Sequence, residues 1–220
     1  MHKINVITID GPSASGKGSL SREIAKAYNL SILDSGSLYR LYAYFAEQGM
    51  KSELISNVIK KNIEFKISHH DLVIMNDEIN ITDSLRSESI ATLASELSSR
   101  EEVRKALFDI QRSFYNYNDG LVADGRDMGT VVFKEAKLKI FLTASVEVRA
   151  KRRYLELQNR GQEVNMPALI ADIEQRDFKD SSRELSPLLP ADDAHIIDSS
   201  EMSLEDVISF TKNLVKEEYL

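Results

Sequence analysis

The run Gly11-Pro12-Ser13-Ala14-Ser15-Gly16-Lys17-Gly18-Ser19 stands between two segments of different periodicity. Before it, Ile4-Asn5-Val6-Ile7-Thr8-Ile9 is short and apolar and reads as a buried strand. After it, Leu20, Ile24, Ala25 and Ala27 predict an amphipathic helix running to Tyr28. A glycine-rich turn with a lysine between strand and helix is the setting in which a loop binds phosphate. Glycine lets the backbone curl so that successive N–H groups converge on an anion. The helix behind adds about half a positive charge at its N-terminus. Lys17 adds a mobile point charge able to reach outer phosphates. Gly11 through Ser19 are therefore candidate phosphate-binding residues. The spacing Gly-x4-Gly-Lys is the usual one, but Gly18 stands where Ser or Thr is common. The hydroxyl that can serve Mg²⁺ comes one place later, at Ser19.

Composition narrows the surroundings of this loop. The 220 residues are 42% hydrophobic and 29% charged, which suits one globular domain with a core. The net charge of −7 argues against a nucleic-acid polymer as partner, because no global basic field attracts one. The chain has no cysteine, hence no disulfide or thiolate metal site. No apolar run is long enough to span a membrane, and the early strand leaves no room for a signal peptide. We expect a cytoplasmic protein. The charge is uneven: residues 149–183 hold eight basic and six acidic side chains on an otherwise acidic chain. Such a segment suits a compact anion, or is an ordinary solvated helix pair.

Along the chain, Leu30–Leu33 predicts a second strand, ending in the helix-start cluster Asp34-Ser35-Gly36-Ser37. The next helix carries Leu38, Leu41, Tyr42 and Phe45 on one stripe and stops at Gly49, with Tyr39 and Arg40 in its first turn. A cation is unfavourable at a helix N-terminus, so Arg40 is either placed for a ligand or simply an exposed arginine. A short helix over 53–60 follows. Then Ile63–Ile67, Leu72–Met75 and Ile79–Thr82 alternate with period two, predicting an antiparallel meander inserted into the chain. His69 and His70 read as turn residues rather than metal ligands. Helical spacing returns over 84–99 and 101–114, the second helix carrying Arg104. Leu121–Ala123 and Leu138–Leu142 predict core strands, the first ending in Asp124-Gly125-Arg126-Asp127. Two helices, 146–157 and 166–180, bring Arg149, Arg153 and Arg160 onto one stripe with Arg152 beside it, then Arg176, Asp180 and Arg183. His195–Asp198 is a last strand and 204–219 a closing helix.

Alternating strands and helices imply a parallel sheet flanked by helices. Ligands bind such sheets at the carboxyl ends of the strands. The polar clusters 11–19, 34–40 and 124–127 all fall at such ends and are expected to meet in one crevice.

These residues resemble those of the bacterial-type cytidylate kinases through nearly the whole chain. The likeness rests on Ile-Asp-Gly-Pro-Ser at 9–13, Gly-Lys-Gly-Ser at 16–19, Leu-Asp-Ser-Gly at 33–36 with Tyr39-Arg40, and Asp-Gly-Arg-Asp-Met-Gly-Thr-Val-Val-Phe at 124–133. It continues in Lys-Ile-Phe-Leu-Thr-Ala at 139–144, Arg-Arg-Tyr at 152–154 and Arg176-Asp177. The stretch at 124–129 is the most specific. Ala14 and Ser19 depart from a common glycine and a common threonine; Ala14 narrows the conformations open to the loop.

The resemblance implies an α/β phosphate-loop kinase core over 1–220, with a monophosphate-side insertion at 63–98 and a short helical lid at 149–183. It implies phosphoryl transfer from ATP to CMP or dCMP, with Mg²⁺ near Ser19 and Asp124. Lys17, Arg126, Asp124 and Arg153 are the residues implied to act on the transferring group. Arg149, Arg152, Arg153 and Arg160 are implied to close over the donor, and Arg40, Arg126 and Arg176 to clamp the acceptor phosphate. Ser35, Arg104, Asp127 and Arg183 are implied to read cytosine and Asp180 the sugar, with Tyr39 and Gly125 in the same pocket. We expect a monomer. The alternatives are another nucleoside monophosphate or small-metabolite kinase, or a phosphate-loop protein that binds nucleotide without turnover. No Asn-Lys-x-Asp tetrapeptide is present to suggest a guanine switch, and the few residues from Gly161 to Met166 leave little space for a large lid domain.

Overall fold

A computed structural model describes residues 5–68, 71–115 and 120–219. Its centre is a five-stranded sheet of β1 (Val6–Asp10), β2 (Ser31–Asp34), β6 (Leu121–Gly125), β7 (Leu138–Thr143) and β8 (His195–Asp198), in the order β2-β6-β1-β7-β8. Every pairing is parallel. The middle strands are largely apolar because helices cover both faces, and β1 and β6 are buried at every residue. The register sets Asp10 beside Gly125 and Asp34 beside Asp124, so three carboxylates gather at the carboxyl edge of the sheet.

α1 (Lys17–Tyr28) packs on β6 and on α9 (Leu204–Tyr219). α2 (Ser35–Glu47) packs on β6 and on α3 (Ser52–Asn62). The second, antiparallel sheet is β3 (Ile63–Ser68), β4 (Asp71–Asn76) and β5 (Ile79–Asn80). His69 and His70 lie outside the described residues, so the turn expected there is not described. Beyond it come α4 (Thr82–Leu85), α5 (Glu88–Leu97) and α6 (Glu101–Ser113), and late in the chain α7 (Val146–Asn159) and α8 (Met166–Ser182). Among the described residues no helix is long and apolar enough to cross a membrane.

Three details differ from the sequence reading. The helix expected over 84–99 is two, α4 and α5. Ser87 starts α5 by accepting the Ile90 N–H on its hydroxyl, which interrupts the helical pattern. The third meander strand stops at Asn80, because Asn80 accepts both the backbone N–H and the hydroxyl of Thr82 and turns the chain into α4. The cluster expected in the loop after Ala123 begins inside the sheet: Asp124 and Gly125 are strand residues, and a single π-helical turn, Met128–Val132, follows.

Candidate active site

Gly11 opens the glycine loop at φ 148°, where a Cβ would fall 2.0 Å from the Leu142 carbonyl oxygen, so no larger residue fits. Gly16, at φ 97°, hands the loop to α1 with no side-chain cap. The capped helices differ: Asp34, Ser145 and Asn165 each accept a first-turn N–H of α2, α7 and α8. The N–H groups at the start of α1 thus stay available to an anion. Lys17 lies along the loop and donates to the Pro12 carbonyl at 2.8 Å. Burial and the Arg126 charge pull its ammonium below the usual lysine range, while Asp124 and Asp10 pull the other way. Burial pushes the Asp124 carboxyl up, against the attraction of Lys17.

Asp10 ends β1 and accepts the backbone N–H groups of Met128 and Gly129 at 2.9 and 2.8 Å. That fastens the π-helical turn to the sheet and aims Arg126 and Asp127 across its edge. Gly129 is needed for the approach, since a Cβ there would lie 2.9 Å from the Thr8 hydroxyl. Burial pushes the Asp10 carboxyl up to about 6, although both N–H bonds pull it down.

Two cavities open along this edge. The larger, about 720 Å³, is lined by the loop from Ala14 to Ser19, by Asp124 and by Arg152, Arg153 and Arg160 of α7 and its C-cap. The smaller, about 140 Å³, is lined by Ser35, Tyr39, Arg104, Asp127, Arg176, Asp180 and Arg183. Gly36, Arg40, Gly125 and Arg126 belong to both walls. Every residue named above for the acceptor side lines the smaller cavity. Of those named for the donor side, Gly11 and Pro12 shape the loop from behind, and Ser13 faces the smaller cavity.

Arg149 is built differently from its stripe. It is 4% exposed, donates to the carbonyls of Ala144 at 2.9 Å and Ser13 at 3.2 Å, and pairs with Asp177 at 2.5 Å. It ties α7 and α8 to the glycine loop. Arg152 braces the same loop through the Ser15 carbonyl and Ser199.

On the wall common to both cavities Arg126 donates to Asp180 at 2.9 Å; burial pulls the Arg126 pKa down, but Asp180, Asp124 and Asp10 together hold it up. Arg104 donates to Asp127, which is 2% exposed, and its guanidinium stands 5.9 Å over the Tyr39 ring. Burial raises the Tyr39 hydroxyl to about 12, leaving it a neutral donor. Ser35 accepts from the buried Gln111 at 2.8 Å. Arg183 donates to the Ser186 carbonyl and sits 3.7 Å from Asp180.

Several site residues escaped the sequence reading. Gln111 supports Ser35, and Arg22 and Arg86 line the larger cavity, Arg22 donating to the Ser19 hydroxyl at 3.3 Å. Glu88 pairs with both Arg153 and Arg176. None carries a local motif. Arg22 alone had a signal, lying one helical turn after Ser19.

Two anion cavities that share an arginine wall, set behind a glycine loop on a parallel sheet, are what a phosphate-loop kinase needs to bring donor and acceptor together, and the chain is of that class. The family model for cytidylate kinase matches residues 7–217. A relative named cytidylate kinase, from Actinobacillus succinogenes, is 43% identical over 215 residues, covering 93% of this chain and 95% of that protein. Another of that name, from Pseudomonas aeruginosa strain PAO1, is 44% identical over 213 residues, covering 93% and 92%. The chain belongs to the cytidylate kinase family. Among solved structures, an uncharacterized protein from Eubacterium ventriosum shares the fold at a TM-score of 0.51 and 13% identity, covering 98% of this chain and 97% of that one.

Proposed function

We propose that this chain transfers the γ-phosphoryl group of ATP to CMP or dCMP, giving ADP and CDP or dCDP. The observation that carries the reading is the common wall: Arg40, Gly125 and Arg126 face both cavities, where the transferring group must pass. Such transfer needs little covalent help from the protein, because an ionised monophosphate is already a nucleophile. What it needs is two polyanions held in line and a field that matches the spreading charge.

In this reading the open N–H groups of the loop and α1 hold the donor's β-phosphate, and Lys17 leaves Pro12 to follow the γ-phosphoryl group. Arg153 and Arg160 cover the donor from above, within a lid over 149–183. Arg126, held by Asp180, meets the transferring group from the acceptor side. Arg40 and Arg176 hold the acceptor phosphate beneath the insertion at 63–98. Asp127 and Ser35 face the cytosine edge with Arg104 and Arg183, and Asp180 faces the sugar. Cytosine offers an N–H₂ donor where uracil offers a carbonyl. An ionised carboxylate only accepts, so Asp127 selects cytosine.

The residues present suit Mg²⁺. A Cβ at Gly18 would stand 3.5 Å from an Asp124 oxygen and 3.3 Å from Arg22, so glycine leaves room beside Asp124 and the Ser19 hydroxyl. Among the described residues no three His, Cys, Asp or Glu side chains group as a metal cage. Ser19 and Asp124 would support a magnesium ion that arrives on the nucleotide phosphates and keeps several waters. Bound there, it would neutralise charge between the β- and γ-phosphates. The chain acts as a monomer in the cytoplasm in this reading.

The test is ADP release with a panel of monophosphates in ATP and Mg²⁺. CMP and dCMP are expected as the best acceptors, with AMP and GMP poor. AMP as the best acceptor overturns the cytidylate assignment. No stimulation by any monophosphate favours nucleotide binding without transfer.

A further inference from the structure

Glu88 is the first residue of α5 and belongs to neither α7 nor α8, yet its two carboxylate oxygens reach one arginine on each. One oxygen accepts from Arg153 and the other from Arg176, at 3.2 Å in the second case. Each arginine also has a carboxylate of its own helix, Glu156 at 2.9 Å for Arg153 and Asp172 at 3.0 Å for Arg176. Those neighbours hold the arginines to their helices. Glu88 alone among these carboxylates joins the helices across the boundary between the cavities. Arg40, which faces both cavities, donates to the Leu85 carbonyl at 3.1 Å, three residues before Glu88, and lies within the field of all three groups.

A carboxylate offers two guanidiniums the same kind of anionic oxygen acceptors as a phosphate, with less charge and one oxygen fewer. Three guanidiniums gathered at one wall repel one another unless an anion sits among them. We propose that Glu88 is a positioning residue that stands in for substrate phosphate in the free protein, keeping Arg153 and Arg176 together and giving them up as the nucleotides arrive. The inference rests on the reading of Arg153 and Arg176 as phosphate-binding cations. Its consequence is competition. Each nucleotide must displace Glu88, so the pair lowers affinity while keeping the arginines in place. Glu88 is itself half-exposed, so water weakens its pairs with the more buried Arg153 and Arg176 and solvates it as it leaves.

Glu88→Gln keeps the shape and one acceptor and removes the charge. At low salt it is expected to lower KM for CMP about three- to tenfold, with a smaller fall for ATP, the scale of one or two half-exposed ion pairs. The advantage shrinks as salt rises. Glu88→Asp, which keeps the charge on a shorter stem, is expected to stay closer to the parent. A merely structural glutamate would lower the melting temperature and leave the KM-against-kcat split and its salt dependence unmoved. If KM for CMP rises or is unchanged in Glu88→Gln, the proposal is overturned. Arg176→Gln serves as the companion variant. A raised KM for CMP there, beside no gain in Glu88→Gln, sinks the stand-in role alone. No effect of Arg176→Gln on KM sinks the reading of the clamp itself.

Discussion

Ala14 has φ 58°, in the left-handed region. An L-residue with a Cβ is strained there by about 1–2 kcal/mol. Ala14→Gly removes that strain but adds about 0.5–1 kcal/mol of chain entropy to the unfolded state. The nucleotide-free variant is therefore expected to melt about 1–4 °C higher; a lower melting temperature in calorimetry would show the loop at ease with alanine. Asp127 belongs to the same scale. Its neighbour Arg126 bonds Asp180, while Asp127 itself accepts from Arg104. Asp127→Ala thus removes the carboxylate proposed to read the base and also takes the charge partner from a guanidinium that is only 13% exposed. The preference for CMP over UMP is expected to fall about 10- to 150-fold, the worth of one charge-assisted bond. The melting temperature is expected to fall by several degrees as well, because a buried charge loses its partner. Equal losses of kcat/KM for the two nucleotides would make Asp127 structural.

At the scale of elements, most strands and helices were legible because each carries its own period. Buried runs such as Val6–Ile9 and Leu138–Leu142 cannot face water on either side, and the stripes of α2 and α9 repeat at helical spacing. What escaped is set by partners distant in sequence. The π-helical turn at Met128 exists because Asp10, 118 residues earlier, takes two of its N–H groups. Arg149 shares the stripe of Arg153 by spacing, and only the fold shows it buried against Ser13 and Asp177. The strand-end clusters were legible as the walls of one crevice, which the smaller cavity shows for Ser35, Arg40, Arg126 and Asp127, but nothing local marks Arg104 or Arg183, which only motif likeness added. The join between β1 and the π-helical turn has a pH signature. Asp10 has a folded pKa of about 6 against an ordinary value of 3.8. A raised carboxyl pKa means that the folded state holds the proton longer. Its contribution to stability is full below about 3.8 and is lost as pH rises through about 6. Asp10→Asn cannot titrate, and its amide N–H₂ faces a backbone N–H, so it is less stable overall. The stability of the parent minus that of Asp10→Asn, from urea titrations without nucleotide, is expected to fall by about 1–3 kcal/mol between pH 4 and 6.5. It is then flat to pH 7.5. A difference that stays constant from pH 4 upward would place Asp10 at an ordinary carboxylate pKa.

For the whole molecule the question is which parts close on nucleotide. The repulsion of Arg149, Arg153 and Arg160 on one helical face suggests, from sequence alone, that the whole segment from 149 to 183 is mobile without nucleotide and protected with it. The structure divides that segment. At its base Arg149 links α7 to the Ser13 carbonyl and, through Asp177, to α8, and Arg152 holds Ser15 and Ser199. These bonds tie the start of α7 to the rigid sheet edge. At the far end Arg160 has Glu156 on its own helix, and Arg153 and Arg176 meet the half-exposed Glu88 of α5. Such pairs are weak and exchange readily for phosphate. Opening free energies differ along a chain according to such bonds, and lids come from the low end. Backbone hydrogen exchange is therefore expected to be slow around Arg149 and Arg152 with or without ligand. Over about residues 153–176 it is expected to be fast in the free protein and slowed about tenfold or more by ATP with CMP, as about 1.4 kcal/mol of local closure requires. ATP alone is expected to slow the α7 part and leave most of α8 free, because Arg176 faces the acceptor cavity. Uniform protection across 149–183 in the free protein would show a lid already shut. Uniform slowing by ATP alone would show that the two helices close together, with the acceptor entering afterwards.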